Sequence, residues 1–395
     1  MTVLDFLTSP RGVGLMRELE QADFSEANTL TLLTQLRQRY TPEEARAAVG
    51  MMRLRLRARD KFGDAASTML FTDDALQQAS DPQVRAYRAQ RATGQTVLDL
   101  CCGIGADSLA FAEGAACVTG VDLDPLRVAM AQHNASALGH DNAAFLVADV
   151  TTYTPATPPD VIFFDPARRT DQGKRLLDVT AYLPPLATIT RYHAPVKAVK
   201  LSPGVDLAQL QDYEAQVEFI SVEGDLKEAV LWFGVEAPAA TLLIEGQALH
   251  WSPEPDPAEA TIAPPQRWLV EPDPALIRAG LVQAAALAYD GHMLDSTIAY
   301  FTTATPPITP WVRAWEIEDW MPFNLKKLRA YLRERGVGGV TVKKRGSPLT
   351  PEELIAKLKL KDGDERRTVV LTRHNDQPIV VICAEYPYNG GKLLK

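Results

Sequence analysis

The chain has 395 residues, 46% hydrophobic and 23% charged, with a formal net charge of −9. That length implies two or three domains with ample core-forming material, and no apolar run approaches the ~20 residues that a bilayer span needs. The four cysteines are Cys101, Cys102, Cys117 and Cys383; two are adjacent, which speaks against a disulfide framework, and no metal-ligand spacing occurs. Residues 1–10 carry Asp5 and no basic region ahead of an apolar core, so no signal peptide, membrane segment or metal is expected, and the expected location is cytoplasmic.

Residues 1–90 read as helical. The predicted helices include Gly14 to Ala22, Glu26 to Tyr40, and one opening at Thr41-Pro42-Glu43-Glu44 with proline at the first position. A basic stretch from Arg37 to Lys61 includes Arg53, Arg55, Arg57 and Arg59. Such a run is often a solvated helix face; here it could also meet a polyanion.

The strongest signal follows. Val97-Leu98-Asp99-Leu100-Cys101-Cys102-Gly103-Ile104-Gly105 is an apolar strand running into a Gly-x-Gly turn, and Val118 to Asp122 is a second strand ending in a carboxylate. This is the pattern of a nucleoside-binding βαβ unit: the glycines let backbone approach the ligand, and a terminal carboxylate can take both ribose hydroxyls. A dinucleotide site wants a third glycine and a free helix N-terminus for pyrophosphate. Here the series continues Ala106-Asp107-Ser108, which puts a carboxylate in that place. A phosphate-free cofactor fits better, and Asp99 suits a ligand with an ammonium or sulfonium centre.

The pattern resembles motif I of the class I S-adenosylmethionine-dependent methyltransferases. That resemblance implies a cofactor set of Asp99, Cys101, Gly103, Gly105, Asp122, Leu123, Asp149 and Val150. Within it, Asp122 would hold the ribose and Asp149 would accept from the adenine amino group, with Val150 beside the ring. Asp124 would cap the next helix. A fourth strand, Asp160 to Phe164, would deliver Asp165, Pro166, Ala167, Arg168 and Arg169 to the carboxyl edge, where ligands bind in doubly wound sheets. A helical stretch, a fifth strand (Val196 to Leu201) and a final antiparallel pair (Val217 to Val222, Ala229 to Phe233) would complete the core.

Methyl transfer is an in-line displacement, so the enzyme chiefly positions a nucleophile and manages its proton. Amino-group methyltransferases of nucleic acids place an aromatic residue after Asp/Asn-Pro-Pro; this chain has Arg168 instead. Asp-Pro-Ala-Arg is similar to the loop of the 5-methyluridine RNA methyltransferases, which attack through a cysteine after the fifth strand. Here Ser202-Pro203-Gly204 stands there, and serine without a base is a poor nucleophile. The expectation is therefore a base nitrogen as acceptor, with Asp165, Pro166 and Arg168 catalytic and Arg169 contacting substrate.

Prolines cluster at 253, 255, 257, 264, 265, 272 and 274, beyond a predicted hairpin around Glu245-Gly246, and Pro274 to Tyr289 reads as one helix. From Trp311 the order is strand, helix, strand, helix, strand, strand, a compact α+β module. Between Met321 and Lys361 eleven Lys/Arg face three Asp/Glu, so a local basic region sits on an acidic chain. This segment resembles the THUMP-like domain of a bacterial methyltransferase family, through Met321 to Leu328 and Val342 to Pro348. Leu201 to Gly204 and Lys227 to Trp232 match that family too. THUMP domains proper bind RNA, so the resemblance implies an rRNA or tRNA partner, with Lys343, Lys344 and Arg345 suited to phosphate contacts.

The expected fold is thus α/β: a Rossmann-like class I methyltransferase core with an N-terminal helical region and a C-terminal α+β THUMP-like module. The expected divisions are residues 1–90, 91–236 (core), 237–310 (connecting) and 311–395. The expected function is S-adenosylmethionine-dependent RNA methylation. The alternatives are a protein or small-molecule methyltransferase, and a non-catalytic RNA-binding protein with a retained cofactor fold.

Overall fold

The structure is a computed structural model that describes residues 2–168, 176, 178–254, 258–361, 363–389 and 392–393. The chain divides into two compact units, Met1–Gln216 with Lys227–Glu236, and Val217–Leu226 with Ala237–Lys395.

In the first unit the helices α1 (Val3–Thr8), α2 (Pro10–Leu19), α3 (Glu26–Leu36), α4 (Pro42–Phe62), α5 (Asp73–Gln78) and α6 (Pro82–Gln90) precede the sheet. The Thr41 start signal is met: its hydroxyl accepts from Glu44 N–H and the Glu44 carboxylate returns to Thr41 N–H. This satisfies two amide groups that the helix itself leaves open. The basic stretch is only partly a free face. Arg55 is buried and donates to the carbonyls of Met69 (2.9 Å) and Thr68 (3.0 Å), while Lys61 donates to those of Leu76, Gln77 and Ala79. Arg57 pairs with Asp73 at 2.5 Å, and Arg53 and Arg59 are exposed.

The sheet strands are β1 (Thr96–Leu100), β2 (Cys117–Asp122), β3 (Ala143–Val147), β4 (Val161–Phe164), β5 (Val196–Leu201), β6 (Gln216–Val222) and β7 (Asp225–Phe233). Within the first unit the order is β3-β2-β1-β4-β5-β7, parallel until β7 runs antiparallel to β5. Between β1 and β2 lies α7 (Ala106–Ala112), and between β2 and β3 lies α8 (Pro125–Leu138), capped by Asp124 as the sequence suggests. The four residues of β4, Val-Ile-Phe-Phe, are all buried, as expected for a strand covered on both faces. Strand order reverses between β1 and β4, so the crevice at their carboxyl ends is the topological switch point. The helical stretch expected after Arg169 is not found among the described residues. Short 3₁₀ turns at Val179–Ala181 and Leu186–Arg191 stand there, where Pro184, Pro185 and Pro195 interrupt any longer helix.

The second unit holds β6, β8 (Ala240–Ile244) and β9 (Gln247–Trp251); β6 is parallel to β8, and β8 and β9 form the expected hairpin with Glu245 and Gly246 at positive φ. Its larger sheet contains β10 (Trp268–Pro272), β11 (His292–Met293), β12 (Phe301–Thr303), β13 (Val312–Pro322), β14 (Val337–Lys344), β15 (Glu365–His374) and β16 (Gln377–Cys383), in the order β11-β12-β10-β13-β16-β15-β14. The single helix expected over Pro274 to Tyr289 is two, α9 (Pro274–Arg278) and α10 (Val282–Ala288), because Gly280 takes φ +75° and ends the first. On one face of the sheet α11 (Leu325–Glu334) and α12 (Pro351–Leu358) pack Leu328, Leu332, Leu354 and Leu358 against Val369, Leu371, Val380 and Ile382. The alternating residues Val370, Ile379, Val381 and Cys383 face a second core with Leu294, Ile298, Tyr300 and Trp315. The two-residue period of a strand thus builds two cores from one sheet.

Candidate active site

At the switch point Gly103 (φ +56°) and Gly105 (φ +84°) both occupy the left-handed region, and Gly105 caps α7. Cys101, between strand and glycines, also has positive φ (+64°). Gly120 on β2 has no room for a side chain, since a Cβ would lie 2.5 Å from the Phe145 ring. Beneath the turn, the Asp99 carboxylate is buried and accepts the Ser108 hydroxyl, while its Oδ1 has no hydrogen-bond partner. Burial, with Asp107 nearby, pushes its pKa well above the usual carboxylate range.

Asp122, at the end of β2, takes Gly103 N–H on Oδ2 (2.8 Å) and Asp124 N–H on Oδ1 (3.0 Å). Each oxygen keeps one lone pair, enough for two hydroxyl donors. Leu123 beside it is 70% exposed, and Val147 at the end of β3 is 54% exposed, so apolar surface flanks the carboxylate. Asp149 is exposed and takes Thr151 N–H and Oγ1 on one oxygen, which lowers its pKa. Val150 is buried, and its carbonyl accepts the Tyr192 hydroxyl at 2.6 Å. Asp122 and Asp149 together present acceptors and negative charge, and the buried Asp99 adds an unpartnered oxygen. Such a set fits the ammonium, sulfonium and hydroxyl groups of S-adenosylmethionine and is unsuited to a phosphate.

Asp165 leaves β4 at the same edge. Because Phe164 pairs with Val199, the next register step sets Asp165 beside Lys200 of β5, and Lys200 Nζ lies 2.7 Å from Asp165 Oδ2. The Lys200 side chain is 4% exposed, and its ammonium also reaches the Gln78 carbonyl at 3.4 Å. On the other side Arg168 Nη2 is 3.7 Å from Asp165 Oδ1, too far for a hydrogen bond. Arg169 lies outside the described residues.

Below this corner sits an ion cluster. Arg88, from α6, is 1% exposed; its guanidinium lies 2.5 Å from Asp107, 3.3 Å from Glu228 and 4.4 Å above the Phe163 ring. Burial would raise the Asp107 pKa, but Arg88, Lys200 and Arg85 outweigh it and hold it low. For Glu228 burial wins, and its pKa is raised. Asp107 thus serves the protein interior, consistent with a cofactor that needs no anion site at α7. Of this cluster, Glu228 lies in the Lys227 to Trp232 stretch that matched the family, while Lys200 and Arg88 carried no motif that marked them.

Lys343 and Arg345 of the basic motif turn inward, both onto Glu271 of β10. Lys343 Nζ bonds Oε2 and stands 4.3 Å over the Trp315 ring; Arg345 Nη2 is 3.3 Å from Oε1. Lys344 is exposed.

A switch-point crevice of carboxylates, glycines and an Asp-Pro loop defines a Rossmann-like methyltransferase. A methyltransferase domain family matches residues 97–171, a THUMP domain-like family residues 312–385, and a domain of unknown function residues 1–58. An uncharacterized S-adenosylmethionine-dependent methyltransferase of Mycobacterium tuberculosis H37Rv is 35% identical over 333 residues, covering 81% of this chain and 90% of that protein. The chain belongs to this family of S-adenosylmethionine-dependent methyltransferases, and S-adenosylmethionine is its cofactor. The fold extends to a candidate methyltransferase of Porphyromonas gingivalis W83 (TM-score 0.73, 22% identity, 92% of this chain and all of that one). A local match joins the chain to a Shewanella amazonensis 23S rRNA (uracil(1939)-C(5))-methyltransferase, 43% identical over 79 residues, 19% of this chain and 18% of that protein. Another joins it to a Vibrio cholerae 23S rRNA (uracil(747)-C(5))-methyltransferase, 30% identical over 118 residues, 29% and 30% of the two chains.

Proposed function

We propose that the enzyme methylates a base nitrogen of RNA, rRNA or tRNA, in the crevice beside Asp165. The observation that carries this reading is the Asp165 corner: Lys200 fixes one carboxylate oxygen, and the other lies beyond bonding distance of Arg168. An oxygen so placed is ready to accept an N–H hydrogen of the incoming base as positive charge develops on the nitrogen. S-adenosylmethionine, when bound, supplies an electrophilic methyl group. Asp99, Cys101, Gly103, Gly105, Asp122, Leu123, Asp149 and Val150 would hold it. Pro166 would stiffen the loop, and Arg168 would stack on or pair with the substrate.

The local similarity to uracil-C5 enzymes supports RNA as substrate class, as does the THUMP-like domain. Cysteine-based carbon attack is disfavoured by the thiols present. Burial first, then surrounding carboxylates, pushes the Cys101 and Cys102 thiols well above their ordinary range, and the thiolate is the reactive form. In this reading residues 91–236 perform transfer, residues 311–395 engage RNA, residues 237–310 connect them, and residues 1–90 border the core.

The test is methyl transfer from radiolabelled S-adenosylmethionine into total RNA from cells lacking the gene, with Asp165→Ala as control. Label in one RNA species with the wild type only supports the proposal, and digestion then names the base. No label, with cofactor binding intact, would transfer the activity to a protein or metabolite acceptor. A C5-methylpyrimidine in the digest would overturn the choice of nitrogen.

A further inference from the structure

The inward turn of Lys343 and Arg345 has a counterpart on β13. Arg313 sits half-buried with those two residues at a cavity of about 270 Å³, lined also by Glu271, Asp273 and Asn389. All belong to the second unit. The Arg313 guanidinium rests on Gly224, where a Cβ would come within 2.5 Å of Nη2; the glycine at φ +86° leaves the space it fills.

Both carboxylates of the cavity are already engaged. Asp273 Oδ1 accepts the Ser221 hydroxyl (2.6 Å) and Ala275 N–H (2.8 Å). Glu271 accepts from Lys343, Arg345 and the Tyr300 hydroxyl. Arg313 makes no hydrogen bond among the described residues and acts on Asp273 through its charge alone, while Arg345 Nε is buried without a partner. Three cations therefore face Glu271 and Asp273, and at least one buried N–H donor, Arg345 Nε, is left unmatched. Unpaired donors in a low-dielectric cavity are costly unless a ligand completes them.

We infer that this cavity binds a phosphoryl group. Guanidinium forks match the oxygens of phosphate bidentately. Three cations approaching from two strands suit a tetrahedral group with oxygens on several sides better than a planar carboxylate. The volume is below the ~300–1,000 Å³ of typical small-molecule pockets, so it holds a phosphate and its sugar and leaves the base outside. Its source is a phosphodiester or terminal phosphate of RNA, an assignment that rests on the function proposed above; a phosphorylated small molecule shares the chemistry.

The full-length protein and its Arg313→Gln and Arg313→Lys variants decide the matter in two arms. In the first, inorganic phosphate is titrated at constant ionic strength, with chloride as control, and thermal unfolding is followed. Phosphate should raise the wild-type midpoint, leave Arg313→Gln unmoved, and act partially on Arg313→Lys. An equal response in wild type and Arg313→Gln overturns the site. In the second arm, binding of a labelled oligoribonucleotide is measured against salt. Arg313→Gln should weaken it about tenfold and make the log K–log salt slope shallower by about one, with S-adenosylmethionine affinity unchanged. Loss of the phosphate response with RNA affinity intact keeps the phosphoryl site and overturns RNA as its source. Arg313-dependent RNA binding without RNA methylation keeps the site and overturns the proposed reaction.

Discussion

Asp165 and Glu271 occupy corners of similar composition, each a carboxylate between a lysine and an arginine, yet they offer opposite chemistry. At Asp165 the lysine is buried (4% exposed) and the carboxylate is the more open partner (23%). At Glu271 the carboxylate is the more buried (15%), and Lys343 and Arg345 are the more open (25% and 33%). The first corner therefore presents an acceptor, the second presents donors. Which member of an ion pair faces the cavity, rather than the pair's composition, decides whether the corner suits a base N–H or a phosphate.

The widest separation should come from the carboxylates. Asp165→Ala should lower kcat on the order of 10²–10³-fold while leaving cofactor affinity intact. Glu271→Gln should act through KM and its salt dependence, and steady-state kinetics at two salt concentrations distinguishes the two. An Asp165→Ala effect confined to KM would erase the contrast.

The lysines come next. Lys200→Met should cost about 2–3 kcal/mol in urea unfolding, because it strips a charged hydrogen bond from a mostly buried pair. Lys343→Met, in a more exposed pair, should cost about 1 kcal/mol or less. Equal losses would mean that burial does not distinguish the corners.

A pH series sharpens the first corner further. The Asp99 pKa is raised from 3.8 by burial, so above pH 3.8 the folded state holds a proton that the unfolded state has released. Stability then falls as pH rises toward the folded value, by about 1.4 kcal/mol per unit of displacement. Asp99→Asn should flatten that decline above about pH 4 in urea midpoints. Asp107 has the opposite sign: its pKa is lowered, so its contribution is present above 3.8 and lost as pH falls through the folded value. The smallest effect belongs to Lys344→Glu, which should change stability by no more than about 0.5 kcal/mol at this exposed position.

Much of the first unit was legible in the chain. The glycine turn, the two strand-end carboxylates and the Asp-Pro loop are local patterns, and the strand order follows from connection rules once they are placed. The Arg88–Asp107–Glu228 cluster was not, because it joins α6, α7 and β7 through contacts with no sequence period. Lys200 was readable only as a strand residue; its meeting with Asp165 depends on the register of β4 against β5. The Lys343-Lys344-Arg345 motif held an unused signal. Alternation along β14 and the residue after it sends the first and third side chains to one face and the second to the other. The partner waiting there, Glu271, lies 72 residues from Lys343 and could not be inferred.

The thiols at the glycine turn bear on how the enzyme can be handled. Cys101 and Cys102 are held in the protonated state by burial and neighbouring carboxylates, and Cys383 lies inside a sheet core. Cys117, at the start of β2, is exposed. A maleimide dye at neutral pH should therefore mark Cys117 selectively, giving a single optical reporter at the start of β2. The same arrangement shields the glycine turn from mild oxidants, because sulfenic acid formation begins from the thiolate.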